Sequence, residues 1–340
     1  MMRMRNGTAL LVGLAVTCLL AACAANDFRH DFAGPRPWTD TPFDSASGKF
    51  TFAVHADLNG GERDRVFEIA VAQLSLLRPE FIMNVGDLIE GDAPDVAGLN
   101  AQWDAYDARA GRASAPVFYT GGNHDLTGEV LQGIWDERYG RRYYHFVYKN
   151  VLFLVLDTED NSAARIAEIH DIRSSAIKVL DEQGYEPYTQ TEYFRLPERN
   201  AGNITATQSQ YFRDVIAAHP DVRWTFLFLH KAPWLRDDDR NFAAIEDALT
   251  ERPYTVFHGH AHTFQYLERR GRDYIRLATT GGIQVAEEGR SMDHILMVTV
   301  DDNGVDIANL PLAGILDKTG HIPLGGDDVC FEAAVCGTEP

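Results

Sequence analysis

Five short groups of metal-type ligands follow one another along the chain: Asp57, Gly86-Asp87, Gly122-Asn123-His124-Asp125, His230 and Gly259-His260-Ala261-His262. Alone, each is a match that chance supplies easily. Each also comes just after an apolar run that reads as a strand, and open α/β sheets form ligand sites at the carboxyl ends of their strands. Carboxylate and amide oxygens with neutral imidazoles suit divalent cations such as Mn, Fe, Zn or Mg. Two such cations can stabilise the attacking and leaving oxygens at a phosphorus centre. The residue types in this order therefore point to a dinuclear metal site and to hydrolysis of a phosphate ester.

Asp87 follows a glycine at a strand end, where a tight turn projects its carboxylate outward, and it is the choice for a bridging ligand. A lone Gly-Asp more commonly makes a turn or a helix cap. Asn123 offers an amide oxygen, with Gly121 and Gly122 allowing close backbone approach; its plain alternative is a turn. His260 and His262 stand two apart with Gly259 supplying a bend. His258 reads as structural. Asp157, Glu159 and Asp160 read as a solvated acidic turn near the mouth of the site, and His145, His219 and His294 have no partner pattern.

The elements that must position these groups alternate. Strands are expected over Lys49–Val54, Phe81–Val85, Val117–Thr120, Arg223–Leu229 and Tyr254–Phe257. A helix is expected over Glu62–Leu77, where Val66, Ile69, Ala70, Leu74 and Leu77 recur at helical spacing, and a partly helical stretch around Gln102–Arg109. Tyr143–Tyr148 and Val151–Leu156 flank Lys149-Asn150, a two-residue gap that suits a hairpin. Residues 158–203 are polar and read as an insertion, helical over Ser162–Leu180. Thr205 and Gln208 have the spacing of a capping box. Tyr274–Ala278 and Ile295–Val300 are expected in a second sheet, giving two packed sheets covered by helices.

Residues 1–22 carry Arg3 and Arg5 before an apolar stretch too short to span a bilayer comfortably. Leu20-Ala21-Ala22-Cys23 resembles the lipobox of bacterial lipoproteins, which implies cleavage before Cys23, acylation of its thiol and export, with outer-membrane sorting implied by Ala24. An ordinary secretory signal is the alternative. Residues 23–48 read as a tether, 49–300 as the domain and 301–340 as a C-terminal extension. Cys330 and Cys336 are expected to form a local disulfide in an oxidising compartment. The net charge of −19 becomes −21 without Arg3 and Arg5, which argues against a nucleic-acid partner and leaves a small phosphorylated substrate open.

In order, the five groups resemble the calcineurin-like metallophosphoesterase family, whose pattern runs Asp-x-His, Gly-Asp-x-x-Asp/Glu, Gly-Asn-His-Asp/Glu, a lone His and Gly-His-x-His. The resemblance covers residues 50–300 and implies a four-layer αββα sandwich of two mixed sheets. It implies one cation held by Asp57, Asp87 and His262, and a second by Asp87, Asn123, His230 and His260. It also implies in-line attack by a metal-bridging hydroxide, with His124 stabilising charge or protonating the leaving group and Asp125 holding the His124 ring. The first motif departs from the pattern, because Asp57-Leu58-Asn59 lacks the histidine. Asn59 is the expected substitute ligand through its amide oxygen; His55 is a rival, sharing a strand face with Asp57. The same departure supports a competing reading, an inactive envelope lipoprotein that uses the fold for binding.

Overall fold

Alternation along the first strand sets the layering. In β1 (Phe50–His55), Phe50, Phe52 and Val54 face a core shared with a second sheet, while Ala53 faces the outside helices. β5 (Val151–Val155) mirrors this, with Val151, Phe153 and Val155 inward and Leu152 and Leu154 outward. Both strands are buried on two faces, which is why β5 reads as an unbroken apolar run and β1 as one interrupted before His55 only by half-buried Thr51. The computed structural model describes residues 48–284 and 290–336; the expected signal segment, Cys23 and the tether up to residue 47 lie outside the described residues.

The first sheet runs β11 (Val305–Pro311), β10 (His294–Val300), β1, β2 (Phe81–Asn84), β3 (Val117–Phe118). The second runs β4 (Tyr144–Tyr148), β5, β6 (Trp224–Phe228), β7 (Tyr254–His258), β9 (Arg272–Arg276), β8 (Gln265–Arg269). β1, β2 and β3 are parallel in one sheet, and β5, β6, β7 and β9 in the other. On the outside of the first sheet lie α1 (Val66–Leu77), α2 (Val96–Ala110) and α4 (Glu129–Arg138), packed through Phe67, Trp103 and Trp135. On the outside of the second lie α7 (Ala206–Ala218) and α8 (Asn241–Ala248), packed through Phe212, Ile216, Phe242 and Ile245. Shorter or peripheral helices are α3 (Asn123–Leu126), α5 (Ala163–Gln183), α6 (Tyr185–Tyr188) and α9 (Ala333–Cys336). This is the αββα sandwich.

Several expectations need correction. α1 starts at Val66 because Arg65 before it has φ 69°, a left-handed conformation that breaks the helix; upstream, the N–H groups of Gly60, Gly61 and Glu62 are donated to the Glu90 carboxylate, at 3.2, 3.1 and 2.8 Å. The Thr205–Gln208 capping box is half formed: Thr205 Oγ1 accepts from the Gln208 N–H, but the Gln208 side chain turns to the Asp157 backbone and Asp160. β10 joins the first sheet, antiparallel to β1. β11 lies beyond residue 300, where the domain was expected to end, and pairs with β10 along its length. β8 was not foreseen, since it is exposed and has no apolar alternation. The β4–β5 hairpin does form, with Lys149 and Asn150 at φ 44° and 61°, the positive pair that a twisted two-residue turn requires.

Candidate metal centre

Because β1, β2 and β3 run parallel, as do β6 and β7, the residues that follow them emerge at the carboxyl ends of strands. Asp57 follows β1, Asp87 follows β2, Asn123 opens α3 after β3, His230 follows β6, and His260 and His262 follow β7. Asp57, Asp87, His260 and His262 all have positive φ, between 45° and 77°. Such a conformation in a non-glycine residue is destabilising by roughly 1–3 kcal/mol and gathers at functional sites. Fixed contacts hold it: Asp57 O accepts from the N–H groups of Thr280 and Gly282, and Leu58 N–H donates to Asp87 O at 3.0 Å. Gly122 and Gly259 are needed for close approach, since a Cβ on either would overlap the carboxylate of Asp87 or Asp57 respectively.

Ligand atoms of Asp57, Asp87 and His262 all lie within 4.8 Å of one another, as do those of Asp87, His230 and His260. Asp87 belongs to both groups. Asn123 Oδ1 is 3.2 Å from His230 Nε2 and so stands with the second group. Each imidazole has one nitrogen committed to a backbone carbonyl: His230 Nδ1 to Val85 O at 2.8 Å, His260 Nε2 to Arg199 O at 2.6 Å, His262 Nδ1 to Ile283 O at 2.5 Å. Donation to a carbonyl fixes the tautomer and leaves the other nitrogen as an acceptor, the arrangement found behind metal-ligating histidines.

Asp57 Oδ2 and Asn59 Oδ1 are buried without a hydrogen-bond partner, while Asn59 Nδ2 donates to Asp87 O. Buried oxygens are rarely left so, and a bound cation is one partner that would satisfy them. The clustered carboxylates and imidazoles fit a metal pair, and Asn59 stands in the sequence where the family pattern has an imidazole. His55 is in neither group of ligand atoms; its ring lies 5.4 Å from that of Phe67 on α1, and its Nδ1 is also buried without a hydrogen-bond partner. Burial holds its proton affinity down, to about 4.

The electrostatics follow from crowding acids and imidazoles out of water. Burial pushes Asp57 well above the usual carboxylate range, with His230 opposing and Asp87 reinforcing. Burial also raises Asp87, but His230 and His124 outweigh it and hold the carboxyl well below its ordinary value. His230 is lowered by burial yet lifted to about 9 by the Asp87 carboxylate 3.0 Å away. Burial drives His260 and His262 down, keeping both neutral. A bound cation reverses such preferences, since ligands must be deprotonated to bind it.

His124 Nδ1 is 2.6 Å from Glu90 O. Its Nε2 and that of His262 flank Gly60, 3.7 and 3.6 Å from where a Cβ there would sit. Asp125 does not hold the His124 ring. Its Oδ1 accepts from the N–H groups of Leu88 and Ile89 and its Oδ2 from that of Gly122, so it fixes the loops bearing Asp87 and Asn123. The acidic turn after β5 is not solvated: Asp157 and Glu159 are buried, Asp157 against Arg142 and Glu159 against Lys231. His258 packs edge-on to Trp234 at 5.1 Å, a structural position. Sequence reasoning missed the role of Glu90, which holds both the Gly60–Glu62 loop and, through its carbonyl, His124. The Gly-Asp-x-x-Glu spacing marks Glu90, whereas the carbonyls of Val85, Arg199 and Ile283 leave no mark in side-chain types.

In sequence, no curated protein matches the chain. Among solved structures it is similar to a dimetal phosphatase from Danio rerio, with a TM-score of 0.51 and 14% identity over 77% of this chain and 98% of that one. It is similar also to the purple acid phosphatase PPD1 from yellow lupin (Lupinus luteus) seeds, with a TM-score of 0.51 and 11% identity over 84% of this chain and 53% of that one. At these identities the likeness is one of fold. The model of the calcineurin-like phosphoesterase family matches residues 50–264. The chain belongs to the calcineurin-like phosphoesterase family.

Proposed function

We propose that the protein hydrolyses small phosphate mono- or diesters at a site holding two divalent cations. The observation that carries this reading is the sharing of Asp87 between two compact groups of ligand atoms. One cation would be held by Asp57, Asn59, Asp87 and His262, the other by Asp87, Asn123, His230 and His260. Cations so placed would make water a nucleophile at neutral pH and would offset charge on the phosphoryl oxygens. His124 serves the leaving oxygen through Nε2, its other nitrogen being committed to Glu90 O. Asp125 positions, and does not touch, the reacting groups.

The reading as an inactive scaffold rests on Asn59 alone, and the unpartnered Asn59 Oδ1 argues against it. Export with a lipid on Cys23, and tethering at the outer membrane, is our proposal for location. It is supported by the Arg3, Arg5 and Leu20-Ala21-Ala22-Cys23 pattern and by the Cys330–Cys336 bond, which suits an oxidising compartment.

The test is hydrolysis of chromogenic phosphate mono- and diesters with added Mn²⁺, with chelator, and by His124→Ala. We expect metal-dependent turnover that falls about 10²- to 10⁴-fold in the variant while metal content is retained. Turnover unaffected by His124→Ala would remove His124 from the mechanism, and no turnover on either ester class would favour the scaffold.

A further inference from the structure

Helix α5 of the 158–203 insertion places an arginine where its sequence position would predict an apolar side chain. Ile166, Ile169 and Ala176 are buried and lie at helical spacing on one face. Arg173 falls on that same face, four residues after Ile169 and three before Ala176. It is half-buried, and among the described residues it makes no hydrogen bond and no ion pair. Other partly buried arginines here find partners, either carboxylates, as Arg63 with Asp293, Arg138 with Asp107, Arg165 with Glu198 and Arg269 with Glu246, or backbone carbonyls, as Arg252 with Ile216 O and Arg272 with Arg252 O. In a chain with 50 acids to 31 bases, an unpaired guanidinium on the packed face of a helix is an anomaly, because partial burial of charge is unfavourable without a partner.

Its surroundings say where it faces. One turn earlier on α5, His170 Nδ1 lies 3.0 Å from where a Cβ on Gly128 would stand, so the helix leans on the segment just after His124–Leu126. The Arg173 charge is close enough to His124 and to Tyr188 to be felt by both. Tyr188 packs edge-on to Phe194 at 5.7 Å, and the Arg199 guanidinium lies 3.7 Å over the Phe194 ring. The Arg199 carbonyl in turn holds His260. The insertion thus forms one rim running from His124 to His260, with Arg173 on its His124 side.

We infer that Arg173 binds an anionic group on the leaving portion of the substrate, so that the preferred esters carry a negative charge beyond the reacting phosphoryl group. This rests on the phosphoesterase reading. The phosphoryl oxygens would belong to cations held among Asp57, Asp87, His230 and His260, whereas Arg173 stands one turn from His170, which leans on Gly128 just past His124, the residue that would serve the leaving oxygen. A guanidinium suits this task because its planar fork pairs with a carboxylate or phosphate through two parallel hydrogen bonds.

The probes are methylphosphonate and phosphonoacetate, which share a phosphonate and differ by a carboxylate. Their dissociation constants would be measured by calorimetry on the Mn²⁺-loaded full chain. The wild type is expected to prefer phosphonoacetate by about tenfold, as a charge-assisted pair implies. Arg173→Met, which keeps the apolar stem and removes the charge, should abolish that preference, and Arg173→Lys should restore part of it. An equal loss of affinity for both ligands, or no loss for either, would overturn the assignment while leaving the phosphoesterase reading intact. Failure of the loaded wild type to bind either phosphonate would overturn both.

Discussion

Replacing Asp87 removes an oxygen from both ligand groups at once, whereas replacing Asp57 removes one from a single group. Metal analysis of the purified variants should therefore find about none per chain in Asp87→Ala and about one in Asp57→Ala, because each binding step needs its deprotonated ligands assembled. Equal metal content in the two would mean that Asp87 does not bridge. Much of this was legible beforehand: Asp57, Asp87, Asn123, His230, His260 and His262 are brought together as their order along strands implied. The role of Asp125 was not legible, because a carboxylate next to His124 looks identical in sequence whether it accepts from the ring or from three backbone N–H groups. Asn59 is intermediate: its type raised the question, and its unpartnered oxygen is compatible with a ligand role.

At the scale of elements, the strand-to-loop junctions govern the site. Glu90 takes the N–H groups of Gly60, Gly61 and Glu62, which fixes the turn that follows Asn59. Glu90→Ala is expected to weaken cation binding at the Asp57–His262 group about 10- to 100-fold, the range for residues that orient ligands. Cation binding at the His230–His260 group should move far less, and titration of the variant with Mn²⁺ would separate the two. Core strands were legible because burial on both faces writes an apolar run into the sequence. The edge strands β8 and β11 were not, since exposure on one or both faces removes that signal. The Thr205 cap was half legible: its hydroxyl does cap α7, but tertiary partners at Asp157 and Asp160 claim the glutamine.

Across the whole molecule, buried neutral histidines make stability sensitive to acid. Burial lowers His294 to about 4, with its Nδ1 2.7 Å from Asn309 Oδ1 and its Nε2 accepting from Ala278 N–H. The unfolded chain takes up a proton below the ordinary histidine value of about 6.5, and the folded one refuses it until about pH 4. The stabilisation is therefore complete above that upper value and is lost as pH falls between the two, at about 1.4 kcal/mol per pH unit for each such group. His258, lowered by burial to about 3, adds in the same direction. Urea unfolding of the full chain at stepped pH should show His294→Gln taking up about one proton fewer on unfolding near pH 5; an unchanged pH slope would show that His294 is not held neutral. The most direct test of the central claim is to titrate metal-free protein with Mn²⁺ while following hydrolysis of a chromogenic monoester. Two cations per chain, with turnover appearing as they bind and vanishing with chelator, is the result expected of a site built around a shared Asp87. Turnover that persists without metal, or a chain that binds no cation at all, would contradict it.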